Sequence, residues 1–281
     1  MSYSYQTLLQ ALSAAGIEEA AEEAALLLEH FAGVTRVTLM MDRGRVYEIP
    51  ALDAAVARRK EREPLQYILG TWEFFGLPFA VNPHCLVPRA DTECLVEEAI
   101  HRIPTGGRFA DLCTGSGCIA VATLANRPDL SAVMLELYPE TLALAEQNAA
   151  ANGVSPRLTP VLADLLQGGD AALEPYAPFD AILSNPPYIP TSVIDGLSPE
   201  VRREPLAALD GGGDGLVFYR AILRDYVSLV KPGGLILLEI GSDQGEALQA
   251  LCADAIPAAE VQVLRDLGGC DRVVCITLPN S

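Results

Sequence analysis

At 281 residues, half of them hydrophobic, the chain can build the cores of a small domain plus a medium one, and it holds no apolar run near the ~20 residues of a membrane span. Its net charge of −18 is divided unevenly, −4 over residues 1–88 and −14 over 89–281; this argues against direct nucleic-acid binding, which rests on Lys and Arg. Seven cysteines, with no Cys-x-x-Cys pair, read as reduced thiols, and the N-terminus lacks a signal pattern, so a cytoplasmic protein with no membrane attachment is expected.

Residues 1–71 read as a small helical domain. Leu8, Leu9 and Leu12 share one helix face, Ala20 to Phe31 is a second helix stopped at Gly33, and Ala51 to Glu63 a third stopped by Pro64. The Arg58, Arg59, Lys60, Arg62 cluster reads as the solvated last turn of that third helix, where the dipole favours cations. Residues 72–88 carry two short β segments around Gly76-Leu77-Pro78, a hairpin linker. Residues 89–281 then alternate: a helix from Thr92 to Ile103, and strands near 108–112, 132–136, 158–162, 179–184 and 235–240. Helices 139–152 and 215–230 lie between strands, and two late strands fall near 261–265 and 272–278. That alternation implies an α/β fold with a doubly wound, mostly parallel sheet.

Candidate chemistry gathers at strand ends. Cys113-Thr114-Gly115-Ser116-Gly117 forms a glycine-rich strand-to-helix turn, but it is neither the dinucleotide Gly-x-Gly-x-x-Gly pattern nor a phosphate loop. Glu136 closes the next strand, 25 positions after Asp111, near the offset at which an acid meets ribose hydroxyls. Asp164 follows the third strand, placed for an adenine amino group. The fourth strand ends in Asn185-Pro186-Pro187-Tyr188, where two prolines remove N–H donors and stiffen the turn. The Asn185 amide and the Pro186 carbonyl then accept two hydrogen bonds from one planar –NH2, and Tyr188 adds a flat face. His30, His84 and His101 fall outside these motifs and read as structural or surface residues; no spacing supports a metal site.

With these residues in place, the chain resembles class I S-adenosylmethionine-dependent methyltransferases and, more narrowly, the release factor glutamine methyltransferases (the PrmC/HemK family). The likeness rests on Arg62–Gly70, Val87–Glu93, Asp111–Gly117, Ser184–Pro190, Glu204-Pro205 with Ala208-Leu209, Gly213–Leu216 and Leu238–Gly241. It implies a Rossmann-like seven-stranded methyltransferase domain behind a small N-terminal helical domain that docks substrate. It implies S-adenosyl-L-methionine as cofactor, with Cys113, Thr114, Gly115, Ser116 and Gly117 along its methionine end, Glu136 on the ribose, and Asp164 and Leu165 flanking the adenine. Asn185, also beside the cofactor, would grip a substrate glutamine together with Pro186, Pro187 and Tyr188; Asn185, Pro186 and Tyr188 would be the catalytic set. The implied substrate is the Gly-Gly-Gln glutamine of class I peptide-chain release factors, methylated by a monomer. Alternatives are a ribosomal protein as glutamine substrate, a nucleic-acid amino group, or a cofactor-binding partner of release factors without turnover. Glu136 stands where the family usually has Asp, Cys113 where Gly is common, and Ala90 where Pro is usual.

Overall fold

The computed structural model describes residues 2–280. They fall into two compact units, one running through Thr71 and reclaiming Ser198–Arg203, the other comprising Trp72–Leu197 and the chain from Glu204 onward. The division differs from a simple linear one: the 72–88 hairpin belongs to the sheet unit, and six residues from the second half of the chain belong to the helical one.

The helical unit contains α1 (Tyr5–Ala14), α2 (Ala20–Ala32), α3 (Arg36–Met41), α4 (Pro50–Lys60) and α5 (Leu65–Leu69). Ser4 and Thr7 cap α1 reciprocally, satisfying two orphan donors, and Gly33 ends α2 in the left-handed conformation at φ 64°. Leu8, Leu12, Leu27, Leu28, Leu52 and Val56 are fully buried. Each contributes on the order of 2 kcal/mol of transfer free energy. Leu9, expected to share the α1 face, is only partly buried.

The basic cluster is solvated only in part: Arg58 and Lys60 are exposed, whereas Arg59 is buried and Arg62 half-buried. Arg59 is 4% exposed, its guanidinium held by Glu23 at 2.6 Å and Glu200 at 2.8 Å. Arg62 also reaches Glu200, at 2.8 Å, and donates to the Gly16 carbonyl at 2.6 Å. A buried guanidinium requires such partners, because an unpaired one costs several kcal/mol of desolvation. Glu200, shared by Arg59 and Arg62, ties residues 198–203 to this unit.

The second unit begins at Trp72, within the hairpin of β1 (Thr71–Phe74) and β2 (Leu77–Ala80), and continues with α6 (Glu93–Arg102). The sheet follows as β3 (Arg108–Leu112), α7 (Cys118–Asn126), β4 (Ser131–Glu136), α8 (Pro139–Ala151), β5 (Leu158–Leu162), α9 (Gly169–Leu173), β6 (Phe179–Ser184), α10 (Val217–Ala221), β7 (Val230–Glu239), α11 (Gly245–Ala255), β8 (Glu260–Arg265) and β9 (Asp271–Thr277). Among the described residues the seven strands run in the order β5-β4-β3-β6-β7-β9-β8. β3 to β7 are parallel; β9 is antiparallel to both β7 and β8. The central strands are buried on both faces, so they read as continuous apolar runs. Phe109 and Leu183 feed one core; Ala110, Leu112 and Ile182 feed the other.

Two element boundaries differ from the sequence reading. β7 begins five residues earlier than residue 235, since pairing jumps from Phe179↔Val230 to Ala181↔Leu235 and the intervening Lys231–Gly234 are absorbed in a bulge. The helix expected over 215–230 is short: Gly215 at φ 75° delays its start, and after Ala221 the chain widens to π geometry over Ile222–Tyr226. No helix among the described residues is long and apolar enough to cross a membrane.

The order reverses between β3, from which the chain steps outward to β4 and β5, and β6, to which it returns. Ligands bind open α/β sheets at the carboxyl ends of strands flanking such a switch.

Candidate active site

A cleft open to solvent lies at that switch point. Its walls come from the glycine-rich turn after β3, the ends of β4 and β5, the turn after β6, residues 84–92 between the hairpin and α6, Pro205 with Ala207 and Ala208, and Phe218.

The glycine-rich turn is held from beneath. Asp111, fully buried, accepts from the Thr114 hydroxyl at 2.5 Å and the Ala120 amide at 3.3 Å through one oxygen, tying the end of β3 to the first turn of α7. Its other oxygen has no hydrogen-bond partner among the described residues. Cys113 takes φ 59°, a left-handed conformation unusual for a residue with a Cβ. Gly117, at φ 79°, lies off the cleft wall: a Cβ there would press on Ala145 of α8 at 3.1 Å, so its glycine serves packing. Cys113, Thr114, Gly115 and Ser116 do line the cleft. Burial pushes the Cys85 thiol up to about 11 and the Cys118 thiol to about 12, and Cys113 is raised as well, so the three thiols around the cleft stay neutral.

Burial also pushes Asp111 up to about 7. Its native value exceeds its ordinary value of 3.8, so the folded chain holds this proton between roughly pH 4 and 7 while the unfolded chain has lost it. The stability it contributes is therefore present in full below about pH 4 and lost as pH rises to about 7, at most ~4 kcal/mol over the whole window. Exposed carboxylates paired with arginine, such as Asp214, held down at about 2, titrate below this window. The apparent melting midpoint should accordingly fall by several degrees between pH 5.5 and pH 8. Asp111→Asn, which keeps an acceptor toward Thr114 and Ala120, should remove part of that slope. Calorimetry across the range checks this, and an unchanged slope in the variant would refute it.

Glu136 ends β4 at 7% exposure. Its carboxylate accepts the Gly115 amide at 3.0 Å on one oxygen, and the Leu137 and Tyr138 amides at 2.9 and 3.2 Å on the other. Burial raises its pKa; the three amides oppose that rise. The carboxylate thus braces the glycine turn and retains lone pairs for hydroxyl donors. Asp164 sits on the cleft wall beside Leu165, but its oxygens also serve the Leu166 amide at 2.8 Å and Gln167 Nε2 at 3.0 Å.

Asn185 lines the cleft, and so does Pro187; Pro186 and Tyr188 do not. Pro186 is buried beneath the turn, its carbonyl belonging to the peptide that leads into Pro187. Tyr188 packs partly into the core around β6 and β7, and burial pushes its phenol to about 12. The turn they form is fixed from behind. Gln244 donates through Nε2 to the Tyr188 carbonyl at 3.0 Å and the Gly215 carbonyl at 3.3 Å. A Cβ on Gly215 would overlap the Tyr188 carbonyl, and one on Gly211 would meet the Pro187 carbonyl at 2.8 Å. Gly211 and Gly215 let backbone lie directly on backbone.

Several cleft residues escaped motif reading. Arg89 lines the wall and pairs with Glu204, 115 residues on, which is 5% exposed and also accepts the Val87 amide at 2.9 Å. Val87–Glu93 and Glu204-Pro205 signalled only a resemblance; the structure joins them into one wall. His84, exposed as expected, also borders the cleft, and its carbonyl accepts from Thr141 at 2.7 Å. Leu137 and Tyr138, 44% and 45% exposed, stand at the mouth beside Glu136.

A model of the PrmC N-terminal domain matches residues 5–70, and one of the methyltransferase small domain matches residues 90–217. A release factor glutamine methyltransferase from Geobacter sulfurreducens is 43% identical over 94% of this chain and 91% of its own length. One from Cereibacter sphaeroides is 44% identical over 95% of this chain and 95% of its own. A solved methyltransferase from Pyrococcus furiosus, 18% identical, shares the fold, with a TM-score of 0.52 over 73% of this chain and 89% of that one. Identity at this level, sustained from the helical unit to the last strand, places the chain in a family: it belongs to the release factor glutamine methyltransferases.

Proposed function

We propose that this chain methylates the side-chain amide nitrogen of the glutamine in the Gly-Gly-Gln motif of class I peptide-chain release factors, using S-adenosylmethionine. The observation that carries the reading is Asn185 on the cleft wall, its Nδ2 already engaged, so that its Oδ1 is left to accept from a substrate amide. The cleft fits the cofactor: a glycine turn admits close approach, and an anchored buried acid at the end of β4 faces where hydroxyls bind. Cys113, Thr114, Gly115 and Ser116 would hold its methionine end, Glu136 its ribose and Asp164 with Leu165 its adenine. When bound, it supplies a methyl group activated on a sulfonium sulfur.

The chain's task is then positioning. An amide nitrogen is a weak nucleophile because its lone pair is delocalised into the carbonyl. Asn185 Oδ1 takes one of its N–H bonds, fixes its direction and stabilises the positive charge that grows on it. Gln244, Gly211 and Gly215 keep the backbone of Pro187 and Tyr188 from moving under that load. The methylated nitrogen loses its extra proton to water. The helical unit of residues 1–71 docks the release factor, and residues 72–88 lead into the catalytic unit.

Transfer of labelled methyl to purified class I release factor, beside a variant with its Gly-Gly-Gln glutamine replaced, tests this. Label is expected in the wild-type factor only. Label in neither, with cofactor binding intact, would overturn the release factor as substrate and turn attention to ribosomal proteins and then RNA.

A further inference from the structure

A carboxylate as buried as Glu204 needs partners for both of its oxygens, because an unpaired buried charge is costly. Glu204 finds both on one short stretch of chain. Its Oε2 accepts the Val87 amide at 2.9 Å, and its Oε1 takes an Nη2–H of Arg89, two residues on. Burial raises the Glu204 carboxyl pKa; the Arg89 guanidinium and the Val87 amide oppose that rise. Arg89 is therefore fixed twice, through the backbone that carries it and through its own head group. A side chain held this way before a ligand arrives loses little freedom on binding it.

Arg89 keeps most of its donors. A guanidinium has five N–H groups, and among the described residues the bond to Glu204 is the one that Arg89 makes. Arg89 is also the one arginine or lysine among the described residues that line the cleft. Three residues on, the Thr92 hydroxyl accepts from Asn185 Nδ2 at 3.2 Å, so the 89–92 segment lies against Asn185. Depth separates Arg89 from the glycine turn. Thr114 and Ser116 are 4% and 2% exposed, whereas the Arg89 side chain is 37% exposed. A glutamine whose amide reaches Asn185 leaves its main chain farther out, toward the mouth of the cleft. An arginine on the Asn185 side and toward solvent meets that main chain, and what a main chain offers a cation is a carbonyl oxygen.

We propose that Arg89, held by Glu204, binds a main-chain carbonyl of the acceptor peptide beside the reacting glutamine. Arg89 then serves substrate affinity, Asn185 serves the transfer, and Glu204 is a positioning residue that does not meet the substrate. The same donors suit the carboxylate at the cofactor's amino-acid end; which ligand's affinity falls on substitution tells the two oxygens apart. This inference rests on the amide-transfer reading above. If wild type fails to label release factor, that reading fails; if wild type labels it and the variants below behave otherwise than expected, the assignment of Arg89 alone fails.

Arg89→Lys keeps a cation beside Glu204, but a point charge cannot serve Glu204 and a carbonyl with the reach of a planar fork. It should raise KM for release factor ~10- to 30-fold and lower kcat no more than about threefold, as when binding is lost equally from ground and transition states. Cofactor affinity by calorimetry should stay within about twofold of wild type. Glu204→Gln keeps the size of the side chain and one acceptor but removes the charge that fixes the guanidinium; KM should rise ~3- to 10-fold, with kcat and cofactor affinity held as in Arg89→Lys. The double variant should have a KM within about twofold of that of Arg89→Lys, because Glu204 acts only through Arg89. A KM within twofold of wild type in either single variant would overturn the proposal. So would a loss confined to cofactor affinity, which would give Arg89 to the cofactor carboxylate, or losses that multiply in the double variant, which would make Glu204 an independent support of the fold. If one single variant does not fold, the other still decides.

Discussion

Asn185→Ala is expected to lower kcat for release factor methylation by about 10²–10³-fold, the scale of losing one preorganised polar contact to developing charge in a water-poor site. The affinity for S-adenosylmethionine should stay within about threefold. The reason lies in what Asn185 touches. Its amide is spent on Thr92 at one end and on the cleft at the other. The glycine turn, Glu136 and Asp164 are braced by their own networks, and none of those runs through Asn185. Removing the amide therefore leaves the cofactor's residues where they are and leaves the substrate nitrogen one acceptor short and free to rotate. Steady-state turnover beside calorimetric titration of cofactor separates the two effects. Turnover near the wild-type value would refute the role given to Asn185; a parallel collapse of cofactor affinity would mean that the turn after β6 organises the whole cleft.

Elements governed by short-range pattern were legible from the chain. Gly33 marked the end of α2, the alternation after residue 89 foretold a sheet with helices between strands, and the glycine turn, Glu136 and Asn185 were each placed at a strand end by the apolar run before them. What escaped depends on partners far apart in sequence. Arg59 looked solvated because its charge pattern is that of a helix end, while its burial is decided by Glu200, 141 residues away. The Asn185–Thr92 bond spans 93 residues, and the Arg89–Glu204 pair 115. No periodicity encodes such pairs. Gly117 carried a different ambiguity: a glycine required by α8 behind it looks, in sequence, like one required by a ligand in front. Tyr188 was given a flat face toward substrate, but a phenol next to the β6–β7 core gains more by burying its ring, and it is the Tyr188 carbonyl, held by Gln244, that fixes the turn.

Glu136→Gln is expected to show the opposite split: cofactor affinity falls ~10- to 100-fold while kcat at saturating cofactor stays within a few-fold of wild type. Both carboxylate oxygens of Glu136 accept backbone amides, Gly115 on one and Leu137 with Tyr138 on the other. A glutamine offers only one oxygen, so its –NH2 must face an N–H wherever it turns. One or two buried donors lose their acceptor, at about 1–3 kcal/mol each. The charge that would strengthen hydrogen bonds from the ribose hydroxyls is lost as well. Glu136→Asp keeps the charge with a shorter reach, and family members usually carry Asp here. It should release the Gly115 amide before the adjacent Leu137 amide and lose affinity less than the glutamine variant. Because the damage falls on the turn that holds the cofactor and not on Asn185, excess cofactor should restore turnover. Calorimetric affinities for the three proteins, with kcat measured at saturation, decide it. An unchanged affinity in Glu136→Gln would remove Glu136 from the cofactor site; a kcat that saturation cannot restore would mean that the glycine turn also aligns the reacting groups.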